Sequence, residues 1–230
     1  MARPWRRSSP CLAESLMAAP DPRVIRLLME LRRMGIADTK VLAAIEKVPR
    51  QLFVAAPFLD QAYENHALPI ACGQTVSQPY IVALMTQALQ VNDRTKVLEV
   101  GTGSGYQAAV LAQLCRRVYT IERHKPLLKQ AEERFRTLRI HNITSILGDG
   151  AKGWPEQAPF ERIMVTAAAH DIPPLLVDQL QVGGIMVLPV GEASSGEQDL
   201  VRVVKLERGI DIQHLGPVRF VPLVEGIAET

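Results

Sequence analysis

An α/β fold built on a doubly wound, mostly parallel sheet, with helices on both faces and a helical segment at the N-terminus, is predicted by three features of the 230-residue sequence. Strand-like apolar runs alternate with segments of helical period from residue 96 to residue 190, the pattern of strand–helix–strand units. The apolar run Lys96-Val97-Leu98-Glu99-Val100 leads directly into Gly101-Thr102-Gly103-Ser104-Gly105-Tyr106, a turn of alternating glycines that opens a helix. Two helical patterns also precede that unit, at Val24, Leu27, Leu28, Leu31 and Met34, and at Val41, Leu42 and Ile45.

Bulk properties exclude several classes of function. A hydrophobic content of 47% supplies a full core, so general disorder is ruled out. The 26 basic and 24 acidic residues leave a net charge of +2, which predicts neither a nucleic-acid nor a membrane partner. Aromatics, at 5%, are too sparse for stacking platforms along a strand of bases. Cys11, Cys72 and Cys115 are odd in number and lack C-x-x-C spacing, which suggests a reducing cytoplasm rather than disulfides or zinc. His66, His124 and His170 fit surface or loop positions, and no metal is expected. No apolar run reaches the roughly eighteen to twenty residues that cross a bilayer.

Residues 1–20, with Arg3, Arg6, Arg7 and Glu14, make a poor signal peptide and read as a disordered tail, with Met17 a candidate natural start. The first helix stops at Gly35; Asp38 can cap the second, and Pro49 ends it. From Val48 to Pro79 five breakers, Pro49, Pro57, Pro69, Gly73 and Pro79, cut the chain into turns, a length more often functional than idle. Ile81, Leu84, Met85, Ala88 and Leu89 mark the next helix. After the glycine turn come a helix over 108–114, a strand over 117–122, a helix through Leu127, Leu128, Ala131, Phe135 and Leu138, and a strand over 143–147. A fourth strand is expected over 163–166 and a helix from Pro173-Pro174 to Leu180. Gly183-Gly184 then turns into a strand over 185–189, and 200–206 and 210–215 form a hairpin around Arg208-Gly209.

Placement assigns chemistry to some of these positions. A dinucleotide fingerprint, G-x-G-x-x-G, would need glycine or alanine where Tyr106 stands, which weakens a dehydrogenase reading. Glu122, at the end of the second strand and about twenty residues past the glycine turn, is placed to accept hydrogen bonds from ribose hydroxyls. In Gly148-Asp149-Gly150 a carboxylate at a strand's carboxyl end can reach the amino group of an adenine ring. The small residues Ala167-Ala168-Ala169 leave room for a substrate.

The G-x-G-x-G turn preceded by Glu99 resembles the first motif of class I S-adenosylmethionine-dependent methyltransferases, in which a carboxylate suits a cationic ligand. Together with 48–54, Ala67-Leu68-Pro69-Ile70, Gln74-Thr75-Val76-Ser77-Gln78-Pro79, Gly148-Asp149-Gly150, 165–169, 188–191 and 218–223, it resembles the protein-L-isoaspartate O-methyltransferase family over residues 21–223. The resemblance implies a seven-stranded, Rossmann-like methyltransferase sheet with a modified C-terminal end. It implies S-adenosyl-L-methionine, yielding S-adenosyl-L-homocysteine, held by Glu99, Gly101, Thr102, Gly103, Ser104, Glu122, Asp149 and Gly150. It also implies an isoaspartyl or D-aspartyl peptide bound in extended form by Thr75, Val76, Ser77, Ala167, Ala168 and Val221, with Ser77 orienting the carboxylate. Cys72, and Val224 after Leu223, depart from the family pattern. Residues 21–230 are then one domain: N-terminal helices and substrate loop (21–95), cofactor core (96–192) and C-terminal strands (193–230), expected to act as a monomer.

A carboxylic acid with a reference pKa near 4 is already ionised at neutral pH and needs no strong base to be methylated. Pairing it tightly with a cation would stabilise the ground state more than the transition state, so hydroxyl and amide donors suit the task better. Ser77 is also, by position, a natural helix N-cap, a role compatible with binding a carboxylate. The alternatives are a methyltransferase of the same fold with another acceptor and a non-catalytic cofactor-binding interaction protein. Absence of an Asn/Asp-Pro-Pro-Tyr/Phe segment speaks against a base acceptor, and intact Ser77, Glu99 and Glu122 against lost catalysis.

Overall fold

The structure is a computed structural model describing residues 21–192 and 197–228; the expected tail, residues 1–20 with Met17, lies outside the described residues. Helix α1 (Pro22–Arg33) starts at Asp21, whose carboxylate accepts the Arg23 amide, and buries Val24, Leu27 and Leu31. Helix α2 (Thr39–Lys47) is capped by Asp38, which accepts the amides of Lys40 at 2.8 Å and Val41 at 3.3 Å. Such a cap contributes about 1 kcal/mol. Between them Gly35, at φ +96°, makes the left-handed turn that stops α1.

Residues 48–79 are ordered. They form short 3-10 turns at Arg50–Phe53, Ala56–Gln61 and Ala71–Gly73, and a small antiparallel hairpin of β1 (Leu68–Pro69) with β2 (Thr75–Val76). Helix α3 (Pro79–Leu89) follows at once. Its N-cap is Gln78, with no side-chain cap bond, so Ser77 does not cap it. Pro79 at the first helical position supplies the helix start instead, since its missing N–H needs no cap.

The central sheet comprises β3 (Lys96–Val100), β4 (Arg117–Glu122), β5 (Ile143–Leu147), β6 (Phe160–Val165), β7 (Leu180–Gly191), β8 (Gln198–Lys205) and β9 (Ile210–Val218), in spatial order β5-β4-β3-β6-β7-β8-β9. Helices α4 (Tyr106–Ala112), α5 (Lys125–Thr137) and α6 (Pro174–Gln179) connect β3 to β4, β4 to β5 and β6 to β7, while β5 passes to β6 through short 3-10 turns. Pairs from β5 across to β7 are parallel, and β8 alone runs against its neighbours, as the hairpin pattern implies. Strand order reverses between β3 and β6, and a sheet of this kind opens its ligand crevice beyond the strand ends at such a point.

Several boundaries differ from the sequence reading: β7 (180–191), β8 (198–205) and β9 (210–218) are longer than, or shifted from, the expected 185–189, 200–206 and 210–215, and three further differences have a local cause. Strand β6 begins at Phe160, three residues before the expected 163, because Phe160 is fully buried and pairs with Leu180. Gly183-Gly184 is not a turn before a strand but part of β7, where the register jumps from Phe160↔Leu180 to Arg162↔Ile185; glycines accommodate the extra residues of that bulge. Helix α4 stops at Ala112 rather than 114, with Leu114 carried by a tighter turn onto the carbonyl of Leu111.

Alternate residues of β3 serve opposite faces: Val97 joins the core beneath α1–α5, and Leu98 and Val100 join the core beneath α6. Every residue of α4 is buried, because α2 packs over it from outside and α3, which lies on β6 and β7, meets it through the bond from Gln107 Nε2 to Thr86 Oγ1. Gly105, at φ +89°, starts this helix, and a Cβ there would lie 2.8 Å from the Phe135 ring. Gly105→Ala is therefore expected to lower stability by about 1–3 kcal/mol, read as a shift of the urea midpoint at constant slope. An unshifted midpoint would show that the turn tolerates a side chain.

Candidate functional site

Cleft walls come from the carboxyl ends of three parallel strands. Val100 to Ser104 follow β3, Ile121 to His124 close β4, and Thr166-Ala167 follow β6, with Gly150 beyond β5. Residues 74–77 of the β1–β2 region and 221–224 of the C-terminal strap complete the cavity. The strap is held in place by backbone bonds: Ala168 donates its amide to the Val221 carbonyl at 2.8 Å, and Leu223 to that of Ala168 at 2.7 Å. Further along, Arg123 Nε donates to the Gly226 carbonyl, and the Ala228 amide to that of Arg123.

The floor is bare backbone. Gly101, at φ +96°, has Thr166 Oγ1 only 2.4 Å from where a Cβ would sit, and Gly150 has Val100 Cγ1 at the same distance. Glu122 is 4% exposed, and its carboxylate accepts the Gly103 amide at 2.8 Å and the His124 amide at 2.9 Å. Each oxygen keeps a second lone pair, so the group shapes the turn and can still accept from a diol. Ser104 and Thr102 are buried in the turn, and the Ser104 carbonyl takes a bond from Arg134 Nη1.

Two of the expected contacts are not brought to this wall. Glu99 is fully buried and points from the face of β3 into the layer under α4, whereas the cavity lies beyond the strand's end. One of its oxygens accepts from Thr120 Oγ1 at 2.5 Å, and that hydroxyl is 2.6 Å from Thr102 Oγ1; the other oxygen has no partner. Burial pushes the carboxyl up to about 8, opposed by the Thr120 bond and reinforced by the charge of Glu122. Asp149 also turns away, accepting the amide of Ala151 at 3.0 Å to cap its own short turn.

Beside the cavity runs a groove of about 680 Å³, lined by His66, Ala67, Gln78, Ile81 and residues 217–221. It shares Thr75, Ser77, Thr166 and Val221 with the cavity, so these residues mark the junction. Ser77 is half-buried, and its hydroxyl makes no hydrogen bond to the described residues. Val76 and Ala167 line the cavity, and Ala168 acts through its backbone. The sequence reading assigned no role to Thr166, whose hydroxyl bridges the carbonyls of Val100 and Gly101 at 3.0 and 2.7 Å, nor to Arg50, Arg123 and Arg134. A threonine as the last residue of the expected fourth strand and an arginine inside the 48–54 motif were the available signals. Among the described residues no His, Cys, Asp and Glu cluster could hold a metal ion, and no helix is long and apolar enough to cross a membrane.

The model of the family described as protein-L-isoaspartate(D-aspartate) O-methyltransferase matches residues 23–228. A protein-L-isoaspartate O-methyltransferase of Paramagnetospirillum magneticum is 70% identical over 213 residues, covering 93% of this chain and all of the relative. One from Rhodospirillum rubrum is 64% identical over 92% of this chain and 96% of its own. Among solved structures, a protein-L-isoaspartate O-methyltransferase superposes with a TM-score of 0.81 at 25% identity, over 89% of this chain and 67% of that one. A Plasmodium falciparum chain in complex with S-adenosyl-L-homocysteine superposes with a TM-score of 0.75 at 27% identity, over 86% of this chain and 97% of its own.

Glu99 gives the site a pH signature. Its ordinary value of 4.5 in the unfolded chain rises to about 8 on folding, so the folded protein binds the extra proton between those limits. Stability contributed by the neutral carboxyl is full below pH 4.5 and is lost as pH rises through 8. Glu99→Gln, neutral throughout, should remove a pH-dependent loss on the order of a few kcal/mol, read from urea unfolding at pH 6 and pH 9. Equal losses in wild type and variant would mean that the carboxyl is ionised in place.

Proposed function

The chain belongs to the protein-L-isoaspartate(D-aspartate) O-methyltransferase family, and from that premise we infer that it transfers a methyl group from S-adenosyl-L-methionine to the free carboxylate of isoaspartyl and D-aspartyl residues in damaged proteins. The observation that carries this reading is the junction of cavity and groove. Its shared residues, Thr75, Ser77, Thr166 and Val221, present hydroxyl and backbone groups but no side-chain cation or base.

The cavity fits the cofactor. Gly101 and Gly103 keep side chains off the floor, and the Glu122 carboxylate has lone pairs for a ribose diol. When bound there, S-adenosyl-L-methionine supplies an electrophilic methyl group carried on a sulfonium. Glu122, the 101–104 turn and Gly150 would hold it. Glu99 would act through the Thr120–Thr102 hydroxyl chain and Asp149 through the turn that presents Gly150.

Ser77 would donate its hydroxyl to the substrate carboxylate, orienting one oxygen without quenching it. Thr75, Val76, Ala167, Ala168 and Val221 would define the channel for a peptide in extended form. The strap at 221–224 would exclude water from the junction. The unit would work as a monomer. The free thiols Cys72 and Cys115 fit a cytoplasmic setting, and no nucleic-acid or membrane partner is part of the reading.

The direct test is transfer of labelled methyl to a peptide bearing isoaspartate, beside the same peptide with aspartate, followed as base-labile ester. Label on the isoaspartyl peptide alone is expected. Cofactor binding without transfer to either would turn the search to another acceptor or to a non-catalytic role. Ser77→Ala should lower kcat/KM by about tenfold to a hundredfold while leaving cofactor affinity intact. Glu122→Ala should weaken S-adenosyl-L-homocysteine binding by about tenfold, measured by calorimetry. Equal loss of cofactor affinity in both variants would sink this division of labour.

A further inference from the structure

Arg50 is the largest fully buried side chain in the described chain, at 0% exposure. Arginine is almost never buried so completely without a partner charge, yet none of the ion pairs among the described residues includes it. Its Nη2 donates to the Ser77 carbonyl at 2.7 Å, and its guanidinium lies 4.7 Å from the centre of the Tyr106 ring. Among the described residues Nε and Nη1 make no well-formed hydrogen bond, and neither does the hydroxyl of Tyr106, a residue of the cavity wall; that phenol is the polar side chain beside the guanidinium, and it carries no charge to balance it. If folding were the only demand, an apolar side chain of similar volume would fill this space without an uncompensated charge.

We propose that Arg50 is a positioning residue for the methyl-accepting carboxylate: it fixes the Ser77 peptide and places a buried positive charge behind it, without touching the substrate. This rests on the role of Ser77 given above. Guanidinium groups stay protonated in proteins, so the charge is permanent, and low local dielectric extends its reach. His66, on the wall of the groove, is protonated more readily than a free imidazole because of the Ala67 carbonyl and the Glu64 carboxylate, and the charge of Arg50 is a small opposing influence there. An anionic acceptor drawn to the junction would meet the Ser77 hydroxyl directly and the cation only through the intervening peptide. Attraction is retained, while the ion pair that would quench a carboxylate nucleophile is avoided.

The test uses Arg50→Gln, which removes the charge and keeps a donor, and Arg50→Lys, which keeps the charge. Affinity for S-adenosyl-L-homocysteine serves as the control for a folded site. Arg50→Gln is expected to raise KM for the isoaspartyl peptide by about tenfold, with kcat within about threefold and S-adenosyl-L-homocysteine affinity within about twofold of wild type. Arg50→Lys should recover most of the KM. An unchanged KM in Arg50→Gln overturns the proposal, as does a parallel loss of peptide and S-adenosyl-L-homocysteine binding, which marks a plain structural staple. If Arg50→Gln does not fold, Arg50→Lys decides: KM near wild type with normal S-adenosyl-L-homocysteine affinity supports the charge, and a tenfold rise overturns it. A wild-type protein that binds S-adenosyl-L-homocysteine but methylates no isoaspartyl peptide brings down the functional reading, and this proposal falls with it.

Discussion

Reversal of the chain between β3 and α4 is the constraint on which the rest of the site depends. Gly101 and Thr102 both donate their amides to the Ile121 carbonyl, at 2.9 and 3.2 Å, and Gly103 donates to Glu122. From the other side Thr166 caps the carbonyls of Val100 and Gly101. Both neighbours of β3 are therefore bonded to the turn, and its left-handed residues Gly101, Gly103 and Gly105 cannot be exchanged without strain. A floor fixed in this way can offer a ligand backbone groups only. Side-chain chemistry must come from the ends of neighbouring strands and from the segments laid over the opening.

Beside these backbone bonds, the segments around the site are joined by arginines that donate to carbonyl oxygens rather than to carboxylates. Arg134 ties α5 to the carbonyls of Leu52 and Ser104, Arg50 ties its turn to Ser77, and Arg123 ties the strap at Gly226. Arg162 and Arg202 do the same for the end of α3, through Leu89 and Ala88. A planar fork of donors can join segments far apart in sequence, and an attraction between charge and dipole at short range is less sensitive to salt than a surface ion pair. The N-terminal layer is thereby held to the sheet beside the site, in addition to its apolar contacts with α4.

What the sequence disclosed followed periodicity and punctuation. Helices α1, α2 and α5 and strands β3, β4 and β5 were legible because apolar spacing, Asp38 as cap and Gly35 as stop all agree locally. Gly183-Gly184 misled because a glycine pair has the same composition in a turn and in a bulge, and only the partner strand distinguishes them. The direction of Glu99 was likewise hidden: its place two residues before the turn is visible, but which sheet face it takes depends on Thr120 of the neighbouring strand. Arg50 could not be read as buried, since local pattern treats an arginine as solvated. Its environment is made by Ser77 and Tyr106, distant in the chain.

Hydroxyl groups at the junction differ in their freedom, and the difference suits the chemistry. Thr166 is committed to two carbonyls of the glycine turn, so it braces the floor. Ser77 and Thr75 make no side-chain hydrogen bonds within the described protein and can serve a substrate. An acceptor that is already anionic needs orientation more than activation, and a neutral donor gives orientation at small cost to nucleophilicity. Positive charge is useful for drawing that anion out of water but harmful in contact with it, because methylation discharges it. A guanidinium held behind the Ser77 peptide meets both requirements in a way that a cation touching the carboxylate would not; Arg123 of the cavity and Arg219 of the groove are not among the residues the two share.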